Sequence, residues 1–385
     1  MPSSELRLTR KGAERILSGH PWVFASDVSG DASPGATVSV LDHKGRPLGT
    51  AHYSSTSQIR LRILDRQAIP VNRQFYFDRI QAAARHREFL GISSGAYRLV
   101  YSEADLLPGL IVDRYGDCYV IQALSQGMDR ATDLIVSCLV ELFSPQAIVA
   151  RNDSPTRKKE DLPLEKKLLH GSLSDEQWIT MNGLRWKVEP LEGQKTGLYL
   201  DQRENYVAAA RYGHGKALDC FTSTGGFALH LAGRCETVEA VDSSSSSLAV
   251  ARGNAEANNI GNVAFKEADV FDLLAGYAAA GRRFDTVILD PPAFAKSRSA
   301  VAGALRGYRD INTRALKLLS PRGILVSCSC SHHMAESALL EVIARAALDA
   351  GRSMRILERR TQAQDHPILL TVPETHYLKC LVLQA

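Results

Sequence analysis

The sequence predicts an α/β fold. Its C-terminal part reads as a doubly wound, mostly parallel, seven-stranded Rossmann-like sheet, preceded by a small β-rich module and a central α+β region. Three observations lead there. Beyond residue 215, apolar strands alternate with helical stretches (KALDCF, TVEAVD, NVAFKEAD, FDTVILD, GILVSCS, then MRILERR and YLKCLVLQ). Strands buried on both faces give such near-continuous apolar runs, and helices between them mean parallel pairing. The first 68 residues instead alternate polar and apolar positions around turn signals. At 385 residues the chain has room for two or three domains.

Bulk composition narrows the class. With 45% hydrophobic and 23% charged residues, the chain is an ordinary globular protein. A net charge of +4 permits a nucleic-acid partner without demanding one. Seven cysteines, at 118, 138, 220, 235, 328, 330 and 380, show no CxxC spacing. That argues against a disulfide framework or a zinc site, so no metal is expected. The N-terminal MPSSELRLTRKGAERIL lacks an apolar core, and no run approaches the ~18 apolar residues of a membrane span. A soluble, cytoplasmic protein without a membrane partner is the expectation.

Along the chain, residues 1–68 read as short strands broken by turns, with nine Lys/Arg against six Asp/Glu. A helix is expected at 72–90, burying Phe75, Ile80, Ala83 and Phe89. Residues 69–175 form the central region: GLIVDRYGDCYVIQAL reads as a hairpin, then come a helix at about 129–142 and the strand QAIVAR. The polar, charged RNDSPTRKKEDLPLEKK reads as a loop or linker. The last region, 176–385, opens on a hairpin turning at Asn182-Gly183 and closes on an antiparallel pair. The serine run 243–247 begins a helix, with Ser243 or Ser244 as N-cap.

The chemistry concentrates at predicted strand ends. After the first strand of the large sheet, Asp219 is followed by a turn through Thr224, Gly225 and Gly226 into a helix. Glycines there let backbone approach a ligand, and the helix start offers N–H groups. Asp242 ends the second strand, where an acid accepts hydrogen bonds from ribose hydroxyls, and Asp269 ends the third, placed for an adenine amino group. Each could equally be a plain helix cap; three in succession beside a Gly-Gly turn favour a nucleoside ligand. LDPPAF ends the fourth strand: Pro291 and Pro292 stop it, orient Asp290, and bring up Phe294 as a face on which a base can stack. The bland alternative is a sharp loop with Phe294 in the core.

SCSCS, at 327–331, closes the fifth strand. C5 of a pyrimidine is too electron-poor to attack a methyl donor, and a thiolate adding at C6 makes it nucleophilic. Such a cysteine must sit at the sheet edge, with its pKa lowered, where a flipped or single-stranded base reaches it. Cys330, the outer of the two, fits; Cys328 reads as a small buried hydrophobe. His332 and His333 follow as proton acceptors or plain loop residues. GQKTGLYLDQREN, at 193–205, suits a loop folding over a cofactor, with Gln194 and Thr196 among its polar side chains.

These residues resemble the RlmI-type family of S-adenosylmethionine-dependent 23S rRNA methyltransferases along nearly the whole chain. HPWVFASDV (20–28) is similar to that family's N-terminal PUA domain, and EADLLPGLIVDRYGD and RNDSPTRKKE to its central domain. GQKTGLYLDQR, LDCFTSTGGF, LDPPAF, SCS and DHP…PETHYLK are similar to its methyltransferase domain. The resemblance implies S-adenosylmethionine as cofactor, held by Gln194, Thr196, Asp219, Phe221, Thr224, Gly225, Gly226, Asp242, Ser243, Asp269 and Asp290. It implies a base lodged against Pro291, Pro292 and Phe294, with Cys330 and Asp290 catalytic toward cytosine C5. It also implies RNA, large-subunit rRNA, as partner, and leaves a homodimer open. One departure is the second cysteine, Cys328, two residues before the nucleophile. Methylation of a base nitrogen, such as guanine N7, is the alternative, since a (Asn/Asp)-Pro-Pro-(Tyr/Phe) turn serves nitrogen chemistry that needs no thiol. A nicotinamide dehydrogenase lacks support because GxGxxG is missing. An RNA-binding protein with a vestigial enzyme fold is the non-catalytic rival.

Overall fold

The computed structural model describes residues 4–193, 195–294, 300–332 and 334–385. The chain divides into two compact units. One comprises Met1–Ile179, Val188–Leu198 and Gln364–Thr375; the other comprises Thr180–Lys187, Tyr199–Ala363 and His376–Ala385.

The first unit holds two sheets. A six-stranded sheet runs in the order Trp22–Phe24, Ile59–Asp65, Pro47–Tyr53, Thr37–Leu41, Glu5–Leu8, Val28–Ser29. A helix at Arg10–Leu17 stands where only strands and turns were expected. Eight residues with a glycine inside carry little helical propensity. What holds this helix is the Thr9 cap, whose hydroxyl accepts from Gly12 N, and the burial of Gly12, Ala13 and Ile16.

The second sheet orders Glu165–Gly171, Ala147–Asn152, Cys118–Ala123, Leu110–Tyr115, Ala96–Tyr101. Its first strand lies in the charged segment expected as a loop. It pairs antiparallel with Ala147–Asn152 along the sheet edge and keeps its side chains largely in solvent. Charged residues suit an exposed edge, which is why composition alone hid the strand. The helix Arg73–Phe89 buries Phe75, Ile80 and Ala83. Phe89, expected in the core, is 85% exposed. At roughly 100° per residue it lies about half a turn from Ile80, on the opposite face.

Arg87 of that helix is almost fully buried. It bonds both carboxylate oxygens of Asp105 and the carbonyls of Arg98 and Asp365. It thereby ties the segment 364–375 to the helix, while Asp365 accepts from Arg98 N at 2.8 Å.

The second unit is built on a seven-stranded mixed sheet. Its strands are β1 (Lys216–Cys220), β2 (Thr237–Asp242), β3 (Val263–Glu267), β4 (Phe284–Leu289), β5 (Leu319–Ser329), β6 (Arg355–Arg360) and β7 (Lys379–Gln384). The spatial order is β3-β2-β1-β4-β5-β7-β6, with β7 antiparallel to both neighbours and the other pairs parallel. The connecting helices are α1 (Arg203–Tyr212), ahead of β1, then α2 (Gly226–Ala232), α3 (Ser245–Ala257), α4 (Val270–Ala279), α5 (Val301–Leu318) and α6 (Glu336–Asp349). The central strands are buried along most of their length, whereas the edge strands β3 and β6 are polar and partly exposed. Strand order reverses between β1 and β4. Ligands of such sheets bind at that reversal, beyond the carboxyl ends of the strands.

Removing one partner of a buried ion pair strands the other charge. Asp105→Ala should therefore cost the first unit about 3–5 kcal/mol in chemical unfolding. A loss below about 1 kcal/mol would show that Arg87 does not depend on its carboxylate.

Candidate active site

The turn after β1 passes through three left-handed positions, two of them held by residues that rarely adopt such conformations. Phe221 has φ +65°, Ser223 +50° and Gly225 +94°. Positive φ in non-glycine residues costs on the order of 1–3 kcal/mol each, so side-chain bonds must hold the turn. Two carboxylates do so. Asp219, fully buried, accepts from the Thr222 hydroxyl at 2.6 Å and from Ala228 N at 2.9 Å through one oxygen. Asp242 accepts from Ser223 N through one oxygen and Ser244 N through the other, both at 2.9 Å. A methyl group on Gly226 would meet the Tyr206 ring at 2.4 Å, so backbone must pass close there.

The second oxygen of Asp219 is buried without a partner. A buried carboxylate oxygen without a donor is costly, and a ligand N–H, ammonium or ribose hydroxyl would satisfy it. Burial, the largest influence, pushes the Asp219 carboxyl up to about 7; Thr222 opposes this and Asp290 adds to it.

At the end of β4, Asp290 is half-buried, and Gln202 Nε2 donates to one of its oxygens at 3.0 Å. Gln202 is itself held by Asn205, whose amide donates to Gln202 Oε1 at 2.7 Å. Pro291 is buried and Pro292 exposed. Phe294 lies 4.7 Å from the Tyr308 ring and 6.1 Å from Phe271, packed on the core margin. Part of its surface therefore serves packing rather than a ligand.

At the end of β5 the two cysteines part company. Cys328 is fully buried in the ladder opposite Cys380, and burial holds its thiol well above the ordinary value. Cys330 lies just past the strand and is only half-buried. Ser329 between them is buried and accepts from the Tyr308 hydroxyl at 2.9 Å. His332 is exposed and stacks on Tyr377 at 5.1 Å.

The structure thus gathers Asp219, Phe221, Thr224, Gly225, Gly226, Asp242, Asp290 and Cys330 at the carboxyl edge of one sheet. Asp269 is exposed and caps α4, accepting from Phe271 N and Asp272 N. Ser244, not Ser243, caps α3, and Ser243 is exposed. Thr196 belongs to the first unit, where its buried hydroxyl donates to Asp113 at 2.5 Å and meets the Tyr115 hydroxyl at 3.0 Å. Gln194 and His333 lie outside the described residues.

Three contributors were not singled out in the sequence. Gln202 holds Asp290, and Tyr308 anchors the strand end beside Cys330. Lys379 is a buried ammonium on β7. Its signal was present: YLKCLVLQ carries a lone charge in an apolar central strand. Among the described residues, no three His, Cys, Asp or Glu side chains gather as a metal site requires, and no helix is long and apolar enough to cross a membrane.

A family model described as an S-adenosylmethionine-dependent methyltransferase matches residues 163–383, and one described as a PUA-like domain matches residues 6–66. A protein of Tolumonas auensis is 40% identical over 100% of both chains, and one of Shewanella amazonensis is 43% identical over 97% of both. Both are named ribosomal RNA large subunit methyltransferase I. In fold, the chain is similar to a Streptococcus mutans structure assigned as an S-adenosylmethionine-dependent methyltransferase, with TM-score 0.85 at 20% identity, covering 99% of this chain and 100% of that one.

Replacing Asp219 tests its burial through pH. The folded carboxyl titrates near 7 and the unfolded one near 3.8. A raised folded value means its stability contribution is complete below the unfolded value and is lost as pH rises through the folded one. Asp219→Asn should therefore gain stability relative to wild type between pH 4 and 8, by up to about 4 kcal/mol. Thermal melts across that range measure it, and parallel curves would refute the buried, ligand-free carboxylate.

Proposed function

This chain belongs to the S-adenosylmethionine-dependent methyltransferase family, among the proteins named ribosomal RNA large subunit methyltransferase I, and we propose that it makes 5-methylcytosine in 23S rRNA through a covalent Cys330–C6 adduct. The observation that carries the choice of carbon is the contrast between the two thiols. Cys328 is sealed in the ladder, whereas Cys330 stands half-open just past the end of β5, the strand paired with the one that leads to Asp290.

When bound, S-adenosylmethionine supplies an electrophilic methyl group. This chain's residues supply the rest. The unpartnered oxygen of Asp219, the close-packed turn at 224–226 and the Asp242 carboxylate fit a nucleoside carrying a cationic tail. The Cys330 thiolate bonds to C6 and drives the C5–C6 π electrons onto C5, which takes the methyl. Loss of the C5 proton to a base then expels the thiolate and restores the ring. Asp290, oriented by Gln202, hydrogen-bonds the base, and Phe294 with Pro291 and Pro292 borders it.

In this view the seven-stranded sheet is the doubly wound Rossmann-like core. The chain forms three domains: a PUA-like RNA-binding domain over 1–68, a central α+β domain over 69–175 and the methyltransferase domain over 176–385. RNA is the partner and the cytoplasm the site of action. Methylation of a base nitrogen, the second reading, would leave Cys330 without work.

Cys330→Ala should reduce methylation at least 10³-fold, the order of loss when a catalytic nucleophile is removed. RNA carrying 5-fluorocytosine at the target should trap wild-type protein as a stable adduct, because fluorine cannot leave as a cation; the Ala variant should not be trapped. Mass mapping of nucleosides in rRNA from cells lacking the protein should find one 5-methylcytosine missing. Full activity in Cys330→Ala would transfer the chemistry to nitrogen.

A further inference from the structure

Lys379 is 3% exposed at the start of β7, the single charge in an otherwise largely apolar strand. Its ammonium donates to the carbonyls of Ser331 at 2.9 Å and Tyr377 at 3.0 Å. It makes no ion pair among the described residues. Burying an ammonium with only neutral acceptors costs several kcal/mol, so a buried lysine of this kind needs an anion. One of the bonded carbonyls points to that anion: it belongs to Ser331, the residue directly after Cys330 beyond the end of β5.

We infer that Lys379 is the counter-cation of the Cys330 thiolate: a positioning residue that keeps the nucleophile ionised at neutral pH.

The surrounding charges make such a cation necessary. Asp290 beyond β4 and Asp201 before α1 are carboxylates near the same edge. Together with Cys330 they push up the Tyr199 hydroxyl, whose own burial is the larger cause. Tyr308 of α5 is pushed to about 12, first by burial, with Cys330 and Asp290 adding to it. Both phenols therefore stay neutral. Glu336 at the start of α6 is paired with Arg359, Asp201 accepts from the Tyr377 hydroxyl at 2.7 Å, and exposed His332 stacks on Tyr377. Without an ammonium, Asp290 would oppose ionisation of Cys330. Burial lowers the Lys379 ammonium's pKa, and the negative charge of Cys330, then of Glu336, raises it.

The inference rests on Cys330 as the reactive thiol, but its test does not need catalysis. Full-length protein is alkylated with iodoacetamide across pH 5–10, and Cys330 modification is followed by peptide mass spectrometry. Lys379→Met keeps the volume and removes the charge. It should raise the apparent pKa of Cys330 by at least about one unit, slowing alkylation at pH 7 roughly tenfold. A Met-variant profile superimposed on wild type overturns the inference. Should that variant fail to fold, linkage supplies the reciprocal measurement. In Cys330→Ser, the titration of Lys379, read by NMR of ¹³C-labelled lysine, should move to lower pH than in wild type, and an unmoved titration overturns the inference. If Cys330→Ala retains full methylation, the C5 reading fails on its own, and the alkylation profiles still decide the role of Lys379.

Discussion

Parallel strands joined by helical crossovers deliver their carboxyl ends to one edge, and the rest of the second unit is arranged around that constraint. Here the edge receives Asp219 from β1, Asp242 from β2, Asp290 after β4 and Cys330 after β5. Each is an anion or a potential one, and all lie close to low-dielectric core. Left alone they would repel one another and protonate. Asp219 goes part of the way, its carboxyl pushed up to about 7 chiefly by burial. Asp242 accepts from two backbone N–H groups and Asp290 from Gln202, and the ammonium of Lys379 bonds the carbonyl directly after Cys330. The chemistry of the edge is thus a problem of charge placement before it is one of shape.

The turn at 221–226 shows the same economy in backbone terms. Three left-handed residues in a row of five are held because Thr222 and Ser223 each bond a carboxylate that is itself fixed at a strand end. Tyr206 closes against Gly226 from the other side. Strain, charge and packing therefore share the same few residues. A change at Asp219 would be felt throughout the turn, at the Thr222 hydroxyl and at Ala228 N.

What the sequence made legible follows from periodicity and from residues with only one economical use. Continuous apolar strands, the Asn182-Gly183 turn and the Pro-Pro stop after Asp290 were readable because alternatives are sterically poor. The helix at Arg10–Leu17 was not, since its stability comes from a cap and from burial rather than from propensity. The strand at Glu165–Gly171 was hidden because an exposed edge strand is charged, like a loop. At the site, strand-end carboxylates were visible, but their division of labour was not. Asp269 and Ser243 sit in the open, and the Thr196 hydroxyl is engaged by Asp113. Gln202 and Lys379 act on residues distant in sequence, and such pairing is invisible until register is known.

Register is also what separates the two thiols. Cys328 faces Cys380 in the β5–β7 ladder and is sealed by it, while Ser329 faces Lys379, and Cys330 escapes the last pair. A slip of one residue would turn every β7 side chain to the other face. It would turn Lys379 from the face it shares with Ser329 and carry it away from the Ser331 carbonyl. The antiparallel seventh strand is therefore more than a closing edge. By pairing with β5 in this register, it brings a buried ammonium to the Ser331 carbonyl, directly after Cys330.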